Sequence, residues 1–264
     1  MSSNKYTLLR QVHSFLSYHK LLGIEQYPAA DTLTAFLRHT KTPPPLPSLE
    51  KQTPLVSSSP AMIQKEHTEA GSTILEVEEE VRNCRSCDLI RNRVLPVPGK
   101  GGSNPRLFVV GGWLTQEKEG FEEDGVFGTA EDQMLERMLT AIHLDRNDAF
   151  ITNVIKCGIS QTVQPKAENI HSCFSYLERQ IAALSPEILC AMGITAARAL
   201  LQITQPLSQL RGQLHQYVQG QSTIPLVVTY HPTFLLQNPE MKTATWADLQ
   251  LIMKYLQGKK KTQS

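Results

Sequence analysis

AFITNVIKC, residues 149–157, is the stretch whose reading decides the fold. Ala149 to Val154 is a short apolar run with a β-branched centre, set off upstream by the polar DRND of residues 145–148 and closed by a lysine and a cysteine. By length and content it reads as a buried strand rather than a helix. Strands of parallel sheets end at ligand sites, and this end carries Asn153, Lys156 and Cys157.

Working outward, the same kind of strand recurs between helical patterns. The reading is helix Ile74 to Asn83, strand Leu107 to Gly111, helix Glu131 to Ile142, the strand at 149–154, helix Ala167 to Leu184, strand Ile188 to Met192, helix Thr195 to Leu201, strand Leu226 to Tyr230 and helix Trp246 to Leu256. Alternation of this kind implies right-handed crossovers and a parallel sheet covered on both faces. The fold class is therefore α/β, a three-layer α/β/α sandwich, with the stretch at 149–154 as its central strand.

Upstream of this domain, which the reading places at 72–258, two short candidate helices, Lys5 to Leu22 and Asp31 to His39, form an appendage over 1–40 with too little core to stand alone. Residues 41–71 are dense in Pro and Ser and read as a linker. Residues 259–264 form a basic, solvated tail. The chain has 264 residues with 26 Lys+Arg against 25 Asp+Glu, so no whole-molecule field pulls it toward nucleic acid, and any such contact must come from a local site. No apolar run is long enough to cross a bilayer and the first residues lack a signal-peptide core, so a cytoplasmic monomer without membrane contact is expected. A reducing compartment argues against structural disulfides.

The five cysteines divide four to one. Cys84 and Cys87 form a C-x-x-C after a helix, Cys157 closes the strand, and Cys173 lies sixteen residues further on; these four are read as non-apolar in setting, whereas Cys190, in ILCAM, belongs to a core strand. Four thiolates make a tetrahedral site, and either zinc or an iron–sulfur cluster satisfies that count. The blander reading is a C-x-x-C redox pair with two incidental core thiols.

Several motifs in order resemble one family. CRSCDLIRNR (84–93), FITNVIKC, Cys173 ahead of LERQI, ILCAMGITAARALL, the LRG of Leu210 to Gly212, and TYHPTFLLQNP followed by WADLQ together look like a family 4 uracil-DNA glycosylase, over Val81 to Leu256. The resemblance implies a four-stranded parallel sheet, a structural 4Fe–4S cluster on Cys84, Cys87, Cys157 and Cys173, and a uracil pocket at the strand ends. It also implies a role in DNA repair by base excision, with uracil-containing DNA as the partner.

Such an enzyme must hold a base swung out of the helix by its Watson–Crick edge and stack a ring on it. An Asn amide can answer both uracil O4 and N3–H, and Asn153 matches the family's uracil-reading Asn. Bond cleavage leaves negative charge on uracil O2, which a donor stabilises where it develops; His231, in TYHP, matches the family's active-site His. Phe127, in GVFG, matches the stacking Phe after a two-residue shift. As a strand-end Asn, a loop His and a loop aromatic, these three also admit turn, surface and core-covering roles.

The first strand-end loop departs from the family. Where the family reads G-E-x-P-G, this chain reads Gly111, Gly112, Trp113, Leu114, Thr115, so Gly112 replaces the carboxylate. Glu117, Glu119, Glu122, Glu123 and Asp124 follow in a run that reads as a solvated loop. DNA contact is expected from Lys156, Arg91, Arg93, Lys100 and Arg211, with Gly99, Gly101 and Gly102 able to admit a phosphate or to serve as a plain connector. Two functions follow: an enzyme that excises uracil, or a catalytically weak or silent module of the same fold that binds DNA or a repair partner, with the N-terminal helices as the docking element.

Overall fold

The structure, a computed structural model, describes residues 73–115 and 125–262. The appendage and linker of 1–71 and the acidic run of 117–124 lie outside the described residues.

The element order is α1 (Ile74–Asn83), β1 (Arg93–Pro96), β2 (Lys100–Gly101), β3 (Leu107–Gly111), α2 (Thr129–Ala141), β4 (Ala149–Asn153), β5 (Cys157–Ile159), α3 (Ala167–Leu184), β6 (Ile188–Met192), α4 (Ile194–Leu201), α5 (Leu207–Leu210), β7 (Leu214–Gln219), β8 (Ser222–Thr229), α6 (Pro232–Gln237) and α7 (Lys242–Thr262). The main sheet runs β2-β4-β3-β6-β8-β7. Its β4-β3-β6-β8 core is parallel as expected, and β2 and β7 add antiparallel edges. The fold is an α/β sandwich with a mixed sheet.

Strand order decides where a ligand can sit. From β3 the chain crosses to β4 on one side, then returns past β3 to β6 and β8 on the other. Right-handed crossovers therefore place α2 on one face and α3 and α4 on the opposite face. The direction reverses at β3, so the crevice opens at the end of that strand, beside Gly111. The strand at 149–154 is accordingly not central: β4 is flanked by β3 and the two-residue β2, and β3 and β6 occupy the middle. Burial of all five β4 residues, which suggested a central position, comes from helices on both faces and the short cover of β2.

The apolar runs fill the interior. Phe108, Val109 and Val110 of β3, Ile188 to Met192 of β6 and Leu226 to Val228 of β8 are all buried. β8 begins at Ser222, earlier than expected, and includes Pro225. Its pairing with β6 starts only at Leu226, so Pro225 sits where β8 has no ladder partner on that side and its missing N–H costs nothing. β2 was hidden inside PGKGG, which does not form a loose connector. A Cβ on Gly101 would overlap the Ala149 carbonyl, and one on Gly102 the Asn147 carbonyl, so these glycines permit close approach of backbone to β4.

The last helix starts at Lys242, ahead of the expected Trp246, and runs on to Thr262, into the stretch read as a tail. It is locked to the sheet by Asp248, whose buried carboxylate accepts from Arg211 Nε (2.9 Å) and Nη2 (2.7 Å), Gly212 N (3.0 Å) and Thr229 Oγ1 (2.7 Å). Arg211 also lies 4.2 Å above the Tyr230 ring, so this residue braces the end of β8. Removing one partner of a buried pair strands the other charge. Asp248→Ala should therefore destabilise the domain by about 3 kcal/mol or more, read as a lower urea midpoint, with Thr229→Val costing less. Equal stability of Asp248→Ala and the parent chain would show that α7 is held by its apolar face alone.

Candidate functional site

β3 and β4 pair in register from Leu107 with Ala149 to Gly111 with Asn153, which brings the two strand ends side by side. Gly111 is bare of side chain where the site needs room: a Cβ there would strike both the Phe127 ring and Asn153 Oδ1. Phe127 is buried, and its ring centroid lies 4.7 Å from that of His231 at an interplanar angle of 52°. Gly111, Asn153, Phe127 and His231 thus meet at the reversal point of the sheet. Gly112 follows, with a Thr195 methine carbon of α4 at ordinary contact distance (3.4 Å) from where a Cβ would stand.

Asn153 is wholly buried, and its Nδ2 donates to the Val126 carbonyl at 2.6 Å. That bond orients the amide and leaves Oδ1 buried without a hydrogen-bond partner. The loop that provides the carbonyl is itself held by a residue absent from the sequence reading. Asp132 accepts from Val126 N (2.8 Å) and Phe127 N (3.1 Å), and burial raises its carboxyl above the usual range against the pull of those two donors. The signal was an acid a few residues after an aromatic loop, which a helix N-terminus alone also explains.

His231 caps α6: its Nδ1 accepts from Thr233 N at 3.3 Å and stands 3.1 Å from Thr233 Oγ1, which donates to Glu131 Oε1 at 3.2 Å. An Nδ1 that accepts from a backbone N–H carries no proton, so the neutral ring is the Nε2–H tautomer. Nε2 is enclosed without a partner, although the residue as a whole keeps some exposure, and burial pushes the imidazole down to about 4. The site therefore holds a buried neutral donor and, on Asn153, a buried acceptor, both without a hydrogen-bond partner. Thr233 and Glu131 were not foreseen, because nothing local joins residues so far apart in sequence.

The four cysteines singled out in the sequence line one cavity together with Val81, Ile90 and Lys156. Cys84 and Cys87 follow α1, Cys157 opens β5 and Cys173 sits on α3. Two expectations need correction here. Cys157 does not close β4; it begins a separate strand that pairs antiparallel with β1. Nor are Cys157 and Cys173 in non-apolar settings, since both are buried among Leu89, Ile155 and Ile159. Burial, and then the thiols of Cys173, Cys87 and Cys84, push Cys157 up to about 12, the opposite of what a solvent-reactive thiol requires. Among the described residues, no three His, Cys, Asp or Glu side chains are gathered tightly enough to hold a single metal ion. Cys190 is sealed in β6, as expected.

The expected DNA-contacting cations fare unevenly. Lys156 is 1% exposed, with Nζ donating to Thr152 Oγ1 (2.7 Å) and Gln180 Oε1 (2.5 Å), and so is an interior residue. Arg211 is committed to Asp248. Arg93 donates to the Cys84 (3.2 Å) and Val81 (3.4 Å) carbonyls, tying the C-x-x-C loop to the end of α1. Arg91 and Lys100 remain on the surface.

The depressed His231 carries a pH signature. Its unfolded form takes up a proton below about 6.5 and its folded form only near about 4, so between these values the unfolded state binds more protons and stability falls as pH falls. Urea denaturation across that window should show this slope, flattened in His231→Gln; an unchanged slope would mean that the ring is not sealed.

The sequence pattern of the Uracil DNA glycosylase superfamily matches residues 98–250. The type-4 uracil-DNA glycosylase of Pyrobaculum aerophilum is 31% identical over 181 residues, covering 66% of this chain and 90% of that protein. The type-4 enzyme of Archaeoglobus fulgidus is 29% identical over 67% of this chain and 90% of its own length, and that of Thermotoga maritima 31% identical over 61% and 82%. With its sheet reversing beside Asn153 and its match spanning the strand ends that carry Gly111, Asn153 and His231, the chain belongs to the uracil-DNA glycosylase superfamily, in the type-4 family.

Proposed function

We propose that this chain excises uracil from DNA by hydrolysing the N-glycosidic bond of a flipped-out nucleotide. The observation that carries the reading is the pair of buried, unpartnered atoms, Asn153 Oδ1 and His231 Nε2, beside the Phe127 ring. An enclosed acceptor and donor without partners are costly in a folded protein, and uracil supplies both complements. Its N3–H donates to Asn153 Oδ1, and its O4 accepts the Asn153 N–H that Val126 leaves free. Phe127 gives the apolar wall against the base. As the C1′–N1 bond breaks, its electron pair passes to the base and charge gathers on O2, where the His231 Nε2–H donates. A ring that stays neutral down to about 4 suits this role, because the proton is held and polarised rather than released. Water adds to C1′ and gives up a proton, leaving an abasic sugar and an intact strand.

Cys84, Cys87, Cys157 and Cys173 would hold a 4Fe–4S cluster. Four thiolates meet the ligand count of a four-iron cluster or of zinc, and the family resemblance favours the cluster, with zinc as the alternative. Buried thiols with raised pKa values need a cationic centre to exist as thiolates. Such a centre would tie the loop after α1 to β5 and α3 and would serve as a structural brace. The domain is assigned to 72–258, acting as a monomer on uracil-containing DNA in a cytoplasmic setting. Residues 1–71 would serve as appendage and linker for a protein partner. Among the described residues no helix is long and apolar enough to cross a membrane.

The bare Gly112 favours a second reading, a slow or silent module that keeps the pocket for DNA binding. Single-turnover excision on a uracil oligonucleotide separates the two. The parent chain should release uracil, and His231→Ala should lose about 10²–10³ in rate; retained DNA binding with no abasic product would establish the silent module. Gly112→Glu should raise the rate, since Thr195 leaves space for a Cβ there, and a flat response would count against the pocket as described. Anaerobically purified protein should be brown, with iron and sulfide in equal amounts, and Cys157→Ser should bleach it. A colourless protein with one zinc per chain would replace the cluster.

A further inference from the structure

Away from the strand ends, α2 and α7 present facing stripes. Met134, Arg137 and Met138 follow i, i+3, i+4 on one helix, and Lys242, Trp246 and Leu249 follow i, i+4, i+7 on the other. Between them runs a groove of about 230 Å³, floored by Leu235 of α6. Met134, Met138, Leu235 and Leu249 are buried, whereas Trp246 is 38% exposed at the rim. Arg137 and Lys242 are exposed, one on each wall, and neither has an ion pair or hydrogen bond among the described residues. Among the described residues, no carboxylate lines the groove.

We propose that this groove docks an acidic peptide segment of a partner protein, one that places a bulky apolar side chain between its acids. The apolar floor accepts the side chain, two methionines let the walls adapt to it, and the opposed cations meet carboxylates on either side. Trp and Arg are the residues most often found to dominate such contacts. The charges favour an acidic occupant over a basic one, and the chain's own acidic run from Glu117 to Asp124, with Phe121 between its acids, is the competitor that the test separates. The chain's own candidate helix, Lys5 to Leu22, carries Lys5, Arg10 and Lys20 and no acid, so it would set like charges against Arg137 and Lys242. A second copy seated groove to groove would oppose the same cations. A nucleic-acid backbone would match the cations and leave the apolar floor unfilled. The groove also lies one helical turn behind the pocket, since Met134 follows Glu131 on α2 and Leu235 follows His231 on α6, so a bound partner would sit beside the working site without covering the strand ends.

The full chain is titrated against a labelled synthetic peptide bearing a Phe-Leu pair between blocks of Asp, with fluorescence anisotropy as the readout. The peptide should bind. Affinity should fall about tenfold or more in Trp246→Ala and in the double variant Arg137→Glu, Lys242→Glu, while uracil release and the circular dichroism spectrum stay at parent values. The double variant should in turn prefer a peptide with Lys in place of Asp. Six results would overturn the proposal: no binding by the full chain, equal binding of acidic and basic peptides, indifference to the substitutions, displacement of the peptide by oligothymidylate, a concentration-dependent dimer abolished by Trp246→Ala, or tighter peptide binding when Glu117, Glu119, Glu122 and Glu123 are changed to Gln, which would give the groove to the chain's own acidic run.

Discussion

The parallel pairing of β3 with β4 is the constraint on which the rest of the molecule depends. Its register sets Gly111 beside Asn153 at the point where the chain reverses its direction across the sheet. A slip of one residue would turn every side chain of the strand to the opposite face and carry the amide out of the pocket. Only a residue without Cβ fits at 111, because the Phe127 ring and the Asn153 amide already occupy the space a side chain would claim. Backbone pairing, the missing side chain and the aromatic wall are thus one arrangement, not three separate features.

Around that point the protein holds polar atoms in place at some cost to itself. Asp132 fixes the loop, the loop carbonyl fixes Asn153, Thr233 N–H fixes the His231 tautomer, and two atoms are left unsatisfied inside the fold. Each unsatisfied buried atom opposes folding by about 1–3 kcal/mol, and a ligand that supplies the complements recovers it. The depressed basicity of His231 belongs to the same design, since desolvation keeps the ring neutral and its outward proton in place. Asp248 and Arg211 then steady the end of β8 immediately before His231.

The thiol cavity stands apart from this machinery and yet is built on the same strand turn. After Asn153 the chain buries Val154, Ile155 and Lys156 before Cys157 enters β5. Lys156 therefore lies on the interior side of the cavity, held by hydrogen bonds to Thr152 and Gln180, while burial pulls its ammonium down to about 7. A short buried segment thus joins the Asn153 amide to the cysteine cavity.

Much of this was legible in the sequence. Hydrophobic runs of strand length between amphipathic helices located α1, β3, α3 and β6 with the bounds observed, because burial on both faces leaves a continuous apolar signature. Motif order identified Asn153, His231, Phe127 and the four cysteines, and the structure brings each group together. The short strands β1, β2 and β5 and the edge hairpin strand β7 were not legible, being too brief or too polar to mark themselves. The fate of individual charges was equally hidden: Lys156 and Arg211 read as phosphate contacts but serve the interior, because burial and pairing depend on residues distant in the chain. The sequence by itself determined which residue types could meet a pyrimidine. Tertiary structure alone decided the reversal at β3, the partners that Asp132 and Thr233 supply, and which polar atoms stay unpaired, since those follow from strand order and packing between segments that share no local pattern.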